Sequence, residues 1–351
     1  MKIGTRVAAM SSSASKAPSD GAPCARVLTR RKLFYSDGAD PTRDRPAHVR
    51  AGSGCAFVDV PGRGRRLAVV QDDTRFIALV DVLGREVDVV ELAPGRGGAR
   101  QFDKQRGNKM DKLDLEAVCT LTLDGAPALL AIGSGSASPR EVLVLTRFTK
   151  DGPVVEELPA PALFARLRAT RAFAGTELNI EGMAIIDEAQ GGAPGGTLRL
   201  FNRGNGTPPA VDATADLSLR ALLAHLRDPL AHAAPAPTHV VAHDLGSIDG
   251  TRLTFTDACA TAAGTVFLAA AEASPNAIDD GEVKGTAVGL VRPNGSHVLV
   301  RLVDERGQPL TDKVEGIALD PSSPGTAYLV IDRDDPAAPA ELLQVVLPPF
   351  R

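Results

Sequence analysis

The chain has 351 residues, a formal net charge of −4 and a pI near 5.9, which gives no reason to expect a nucleic-acid or acidic-membrane partner. Length alone allows one to three domains. Trp is absent and aromatics make up 4%, whereas Gly (34) and Pro (26) are abundant, so many turns and a core of small residues are expected.

Met1 to Ala22 is rich in Ser and Ala and reads as a disordered tail ahead of a single domain over 23–351. Its apolar run, Val7 to Met10, is short of the roughly 7–15 residues of a secretory signal. No stretch approaches the roughly 18 apolar residues of a membrane span. Cys24, Cys55, Cys119 and Cys259 lack zinc-knuckle spacing and read as reduced, buried thiols. Together these features point to a cytoplasmic location with no membrane partner.

A strand is expected over Ala25–Phe34. After it a motif recurs: Gly52-Ser53-Gly54, Leu115-Glu116-Ala117, Ile180-Glu181-Gly182, Thr256-Asp257-Ala258 and Val314-Glu315-Gly316. The pattern is an acid (Ser in the first copy), a small residue, then apolar residues. Spacings of 63, 65, 76 and 58 residues fit four-stranded propeller blades with long loops, compact blades being about 40–50 residues.

Each copy is followed by further apolar and β-branched runs, as strands require. They are Arg66–Val70, Phe76–Val82 and Glu86–Leu92 in the first unit, and Ala128–Ile132, Glu141–Arg147 and Pro153–Leu158 in the second. The third has Thr197–Phe201, Pro209–Ala213 and Thr238–Asp244; the fourth has Thr265–Ala269, Thr286–Val291 and Val298–Val303. The fifth has Ala327–Ile331 and Glu341–Leu347 and no fourth strand, which the strand at 25–34 would supply, removing an open edge.

Two helices interrupt the pattern: Pro161–Ala169, between units two and three, and Asp216–Arg227, between the third and fourth strands of unit three. The second carries an apolar stripe at 219, 222, 223 and 226. His232–Pro237 reads as an extended linker and Gly191–Gly196 as a flexible hairpin loop. The fold class is therefore all-β, a β-propeller of five blades, with six as the alternative because the 185–255 stretch is long.

In such a fold the inner strands bring Ser53, Glu116, Glu181, Asp257 and Glu315 to the mouth of a central channel. Four carboxylates there repel, at roughly 3 kcal/mol per pair for about 6 Å and a dielectric near 20. Either some stay protonated or a cation sits among them, and an oxygen-only set suits Ca²⁺. The alternative is that each acid caps backbone amides at a strand start. The turns after the second strands lie on the same face, so Lys112, Ser134, Arg140, Asn202, Asn205 and Lys313 are candidate substrate-binding residues. Glu181, Arg203 and Arg333 are the candidate catalytic residues, the two arginines holding charge that develops on a substrate. The six His show no metal or triad spacing.

The Ser-Glu-Glu-Asp-Glu register on the inner strands resembles the calcium-activated nucleotidase (soluble apyrase) family. That resemblance implies a five-bladed propeller with a central Ca²⁺ held by Glu and Ser at the strand starts. Asp114-Leu115-Glu116-Ala117, Gly133-Ser134-Gly135-Ser136, Leu178-Asn179-Ile180-Glu181-Gly182 and Asn202-Arg203-Gly204-Asn205 together look like an uncharacterised bacterial propeller family, loosely related to phytase-like and esterase-like propellers, over most of 50–345. The expected function is Ca²⁺-dependent hydrolysis of a phosphate ester or similar small anionic or polar molecule. The alternatives are a non-catalytic propeller binding a ligand or protein, and a lactonase or esterase leaning on Asn179 and Asn202.

Overall fold

The computed structural model describes residues 23–186, 195–205, 208–273 and 281–350. The expected tail at 1–22 and most of the Gly-rich loop from Gly191 lie outside the described residues.

The all-β expectation holds. Strand β1 (Cys24–Lys32) comes first and buries Ala25 and Val27 on one face. An antiparallel sheet of β2 (Gly52–Val60), β3 (Gly64–Gln71), β4 (Phe76–Val80) and β5 (Val87–Glu91) follows. The second sheet is β6 (Leu115–Leu123), β7 (Ala126–Gly133), β8 (Val142–Thr149) and β9 (Gly152–Pro159). Asp124-Gly125 links β6 to β7 with both residues at positive φ, the backbone that suits a tight hairpin.

Helices α1 (Pro161–Ala169) and α2 (Arg171–Ala174) come next, with Leu163, Phe164 and Leu167 of α1 buried. The third sheet is β10 (Ile180–Ile186), β11 (Thr197–Asn202), β12 (Asp212–Ser218) and β13 (Thr238–His243), with α3 (Leu219–Arg227) inserted between β12 and β13. The helix expected from 216 starts at 219. Asp216 is held in the ladder by Arg199 at 2.7 and 2.9 Å, and Ser218 caps α3 by accepting from the Ala221 amide.

After a short hairpin, β14 (Ser247–Ile248) and β15 (Thr251–Arg252), come β16 (Thr254–Thr261), β17 (Gly264–Glu272), β18 (Val283–Val291) and β19 (His297–Val303). The last strands are β20 (Lys313–Leu319), β21 (Thr326–Asp332) and β22 (Glu341–Val346). β1 pairs antiparallel with β22 and, over Cys24–Arg26 only, parallel with β19. The eight-stranded sheet is thus two four-stranded units joined edge to edge, the second completed by β1.

Among the described residues five apolar cores form, each between consecutive units. Val58 and Ile77 pack with Val118 and Val144; Leu130 with Met183 and Leu200; Phe201 with Phe255 and Phe267. Val288 packs with Leu329 and Val27, and Leu67 with Val330 and Leu342, which returns to the first unit. The first strands lie side by side in a closed circuit: β2 on β6, β6 on β10, β10 on β16, β16 on β20 and β20 on β2. Among the described residues no helix is long and apolar enough to cross a membrane, and all four cysteines are free thiols.

Candidate functional site

The motif marks a β-bulge. In β6, β10 and β20 the ladder register slips at Glu116, Glu181 and Glu315, leaving each glutamate without a ladder partner. In two copies glycine after it is a steric requirement. A Cβ on Gly54 would lie 2.8 Å from Ala117 Cα, and one on Gly316 would lie 2.2 Å from the Ser53 carbonyl. At these two positions adjacent first strands approach too closely for a side chain.

In β16 the slip falls at Thr256, between Phe255 and Asp257. Thr256, not Asp257, is therefore the counterpart of the three glutamates, and its hydroxyl donates to the Val314 carbonyl at 2.8 Å. Asp257 occupies the small-residue position. It is fully buried, and its Oδ2 accepts from the Ile317 amide at 2.8 Å. Burial, then the neighbouring Glu181 charge, holds its carboxyl well above the usual range. It caps a backbone amide, the alternative weighed for these acids, and does not line the acid-rich cavity. Aligning the chain on Cys119 and Cys259, each three residues after the bulge, is the signal that places Thr256 correctly.

That cavity, about 270 Å³, is lined by Ser53, Glu116, Glu181 and Glu315 together with the turns after the second strands. Among the described residues, acidic side chains on its wall outnumber basic ones eleven to six. The basic ones interleave with the acids. Lys112 Nζ lies 2.5 Å from Asp72 and 2.6 Å from Asp114. Arg140 lies 2.8 Å from Asp114, whose other contact is the Ser134 hydroxyl. Arg203 pairs with Glu272 at 2.5 Å and Glu181 at 3.4 Å, and Lys313 with Asp334 at 2.7 Å and Glu315 at 3.6 Å. Ser53 donates to Glu116 at 2.6 Å, and Asn179 to Glu181 at 2.6 Å.

The acids divide by environment. Burial pushes Glu181 up to about 7, against the pull of Arg203 and Lys313. Glu116 and Glu315 are also raised well above the usual range, by burial and then, respectively, by Asp114 and Glu181. Asp114 is buried too, but Lys112 and Arg140 hold it below the usual range. A protonated group beside an ionised one in a single cavity is a proton donor–acceptor pair.

Of the sequence candidates, Lys112, Arg140, Arg203, Asn205 and Lys313 line the cavity with the three glutamates and Ser53. Ser134 is fully buried behind Asp114. Asn202 is fully buried as a turn anchor, accepting from the Asn179 amide at 2.9 Å and donating to the Val211 carbonyl at 2.9 Å. Arg333 lies outside the cavity, paired with Asp312 at 2.6 Å and Glu341 at 2.8 Å. Sequence reading did not single out Asp72, Asp114, Glu272 and Asp332 as site residues. Asp72, Glu272 and Asp332 sit in the polar turns after second strands, and Asp114 lies two residues before Glu116 in the motif.

Asp72, Asp114 and Glu116 each place one carboxylate oxygen within 4.8 Å of the others. Asp72 Oδ1 and Glu315 Oε2 are buried with no hydrogen-bond partner. An all-oxygen donor set with orphaned carboxylate oxygens fits a hard cation such as Ca²⁺.

These features define an all-β chain of four-stranded units around a buried, acid-rich cavity. The chain belongs to a family of unknown function (DUF6929), whose profile spans residues 48–347. No curated protein matches it. Among solved structures it is similar to a chain of RAG in complex with one melted and one unmelted RSS, with 10% identity, a TM-score of 0.38, and 90% of this chain and 83% of that chain covered. It is also similar to a chain of BBS1N in complex with ARL6DN, with 9% identity, a TM-score of 0.36, and coverage of 93% and 97%.

Proposed function

We propose that the five units are the blades of a five-bladed propeller, loosely akin to phytase-like and esterase-like propellers, and that its mouth hydrolyses a phosphate ester or similar small polar substrate with the help of Ca²⁺. The observation that carries this reading is the acid-rich cavity holding two buried, unpartnered carboxylate oxygens, on Asp72 and Glu315. Asp72, Asp114 and Glu116 would hold the ion, with Glu315 across the cavity. A bound Ca²⁺ would supply charge neutralisation and polarise a phosphoryl or carbonyl oxygen.

The chain's own groups supply the rest. Glu181, with a pKa near 7, accepts or returns a proton near neutral pH. Arg203, held between Glu272 and Glu181, keeps that carboxylate oriented. Arg140 has Nε and Nη2 without hydrogen-bond partners on the cavity wall, which suits it to an anionic substrate group.

One observation favours a second reading, a non-catalytic site for a polar ligand. Lys112, Arg203 and Lys313 already offset much of the ring's repulsion, so the mouth is tolerable without an ion. Metal analysis of the purified protein, followed by a phosphoesterase and esterase panel with and without Ca²⁺, separates the two. Ca²⁺-dependent turnover supports the hydrolase. Absence of both bound metal and turnover leaves the binding module.

A further inference from the structure

A second cavity, about 640 Å³, runs between the fifth unit and the β4–β5 turn of the first, well away from the mouth. Its wall is cationic: Arg31, Lys32 and Arg85 line it with Arg30, and no acidic side chain does. Arg30 is neutralised by Asp312 and Glu341, but the Arg31 guanidinium donates only to the Asp81 and Gly84 carbonyls, both at 2.6 Å. The same groove carries Leu83, 93% exposed, and Phe34, 50% exposed, two of the few large apolar side chains left in solvent among the described residues. One wall is a strand edge. β1 pairs with β22 as far as Lys32, whereas its pairing with β19 stops at Arg26, so Thr29–Lys32 have a ladder partner on one side only.

We propose that this groove docks an extended acidic segment of a partner protein, which adds a strand to the free edge of β1. An edge supplies main-chain hydrogen bonds, and alternate side chains of the added strand reach the groove, where apolar ones meet Phe34 and Leu83. Lys32 and Arg85, exposed and in no ion pair among the described residues, select acidic neighbours and speed encounter. A basic segment is repelled.

The test uses the full chain and a fluorescein-labelled octapeptide alternating Glu with Leu, followed by anisotropy. The peptide binds, a version with Lys in place of Glu does not, and amides of Thr29–Lys32 gain protection from hydrogen exchange. The double variant Lys32→Glu with Arg85→Glu weakens binding at least about tenfold, and Leu83→Asp does so independently; melting curves confirm that these exposed substitutions leave the fold intact. Absence of binding, equal binding of the Lys peptide, or affinity unchanged in both folded variants overturns the proposal. So does sedimentation showing that two copies of this chain occupy the edge instead.

Discussion

Asp257 Oδ2 accepts the Ile317 amide at 2.8 Å, joining the first strand of the fourth unit to that of the fifth. One side chain therefore ties two of the five first strands together where glycine or alanine stands in the other copies.

Asp257→Ala strands the Ile317 amide in a dry interior and is expected to destabilise by roughly 1–3 kcal/mol, the cost of one unsatisfied buried group. Asp257→Asn keeps an acceptor and sheds the cost of a buried charge, so it stays near wild type in denaturant melts. Equal melts for Ala and wild type would remove the tie.

Lys112 neutralises Asp72 and Asp114, two of the carboxylates assigned to the cation. Lys112→Met is expected to lower stability in chelator and to enlarge the rise in melting temperature on adding Ca²⁺. For scale, a ligand at a hundredfold excess over its Kd adds about 2.7 kcal/mol. Glu116→Gln should shrink the same response, while Glu282→Gln, outside the cavity, leaves it unchanged. A Ca²⁺ response indifferent to all three substitutions, or absent from the wild type, counts against the ion site.

The pH dependence has a definite sign. Glu181 titrates near 7 in the native state against an ordinary value of 4.5, so between these values the native state holds the extra proton. Its contribution to stability is complete below about 4.5 and is lost as pH rises toward 7. Glu181 lines the same cavity as the carboxylates assigned to the ion and attracts a cation only when ionised, so Ca²⁺ binding followed by calorimetry should strengthen from about pH 6 to about pH 8 and release protons. Binding that is flat across this window would place the ion away from Glu181.

Deleting residues 1–22 is expected to leave the melting temperature nearly unchanged. Deletion through Lys32 removes buried Ala25 and Val27 and exposes the β22 edge, so aggregation or a large loss of stability should follow. Equal melting of the two truncations would argue against closure by β1.

Short apolar, β-branched runs and the polar turns after them made the strands legible, and the missing fifth-unit strand pointed to β1. The glutamates were legible because the bulge repeats in sequence as well as in space. Asp257 was misplaced by one residue because an acid drew attention where the recurring feature was the bulge, occupied by Thr256. The pairing of Lys112, Arg203 and Lys313 with ring acids arises only when distant turns meet, so spacing along the chain carries no trace of it. Asn202 and Arg333 sit in turns on the expected face, but backbone amides claim the first and Asp312 and Glu341 the second.

β1 spends most of translation without its partner. Its ladder is written by residues 24–32, but Glu341–Val346, which completes it, is made after the other described strands. At about 5–20 residues per second the wait is roughly 15–60 s. During that interval a cationic, partly apolar strand is exposed, and the ring of first strands cannot close. Among the described strands the first made is thus among the last to pair, and its ladder with β22 closes a loop of about 310 residues, a slow kind of contact to form.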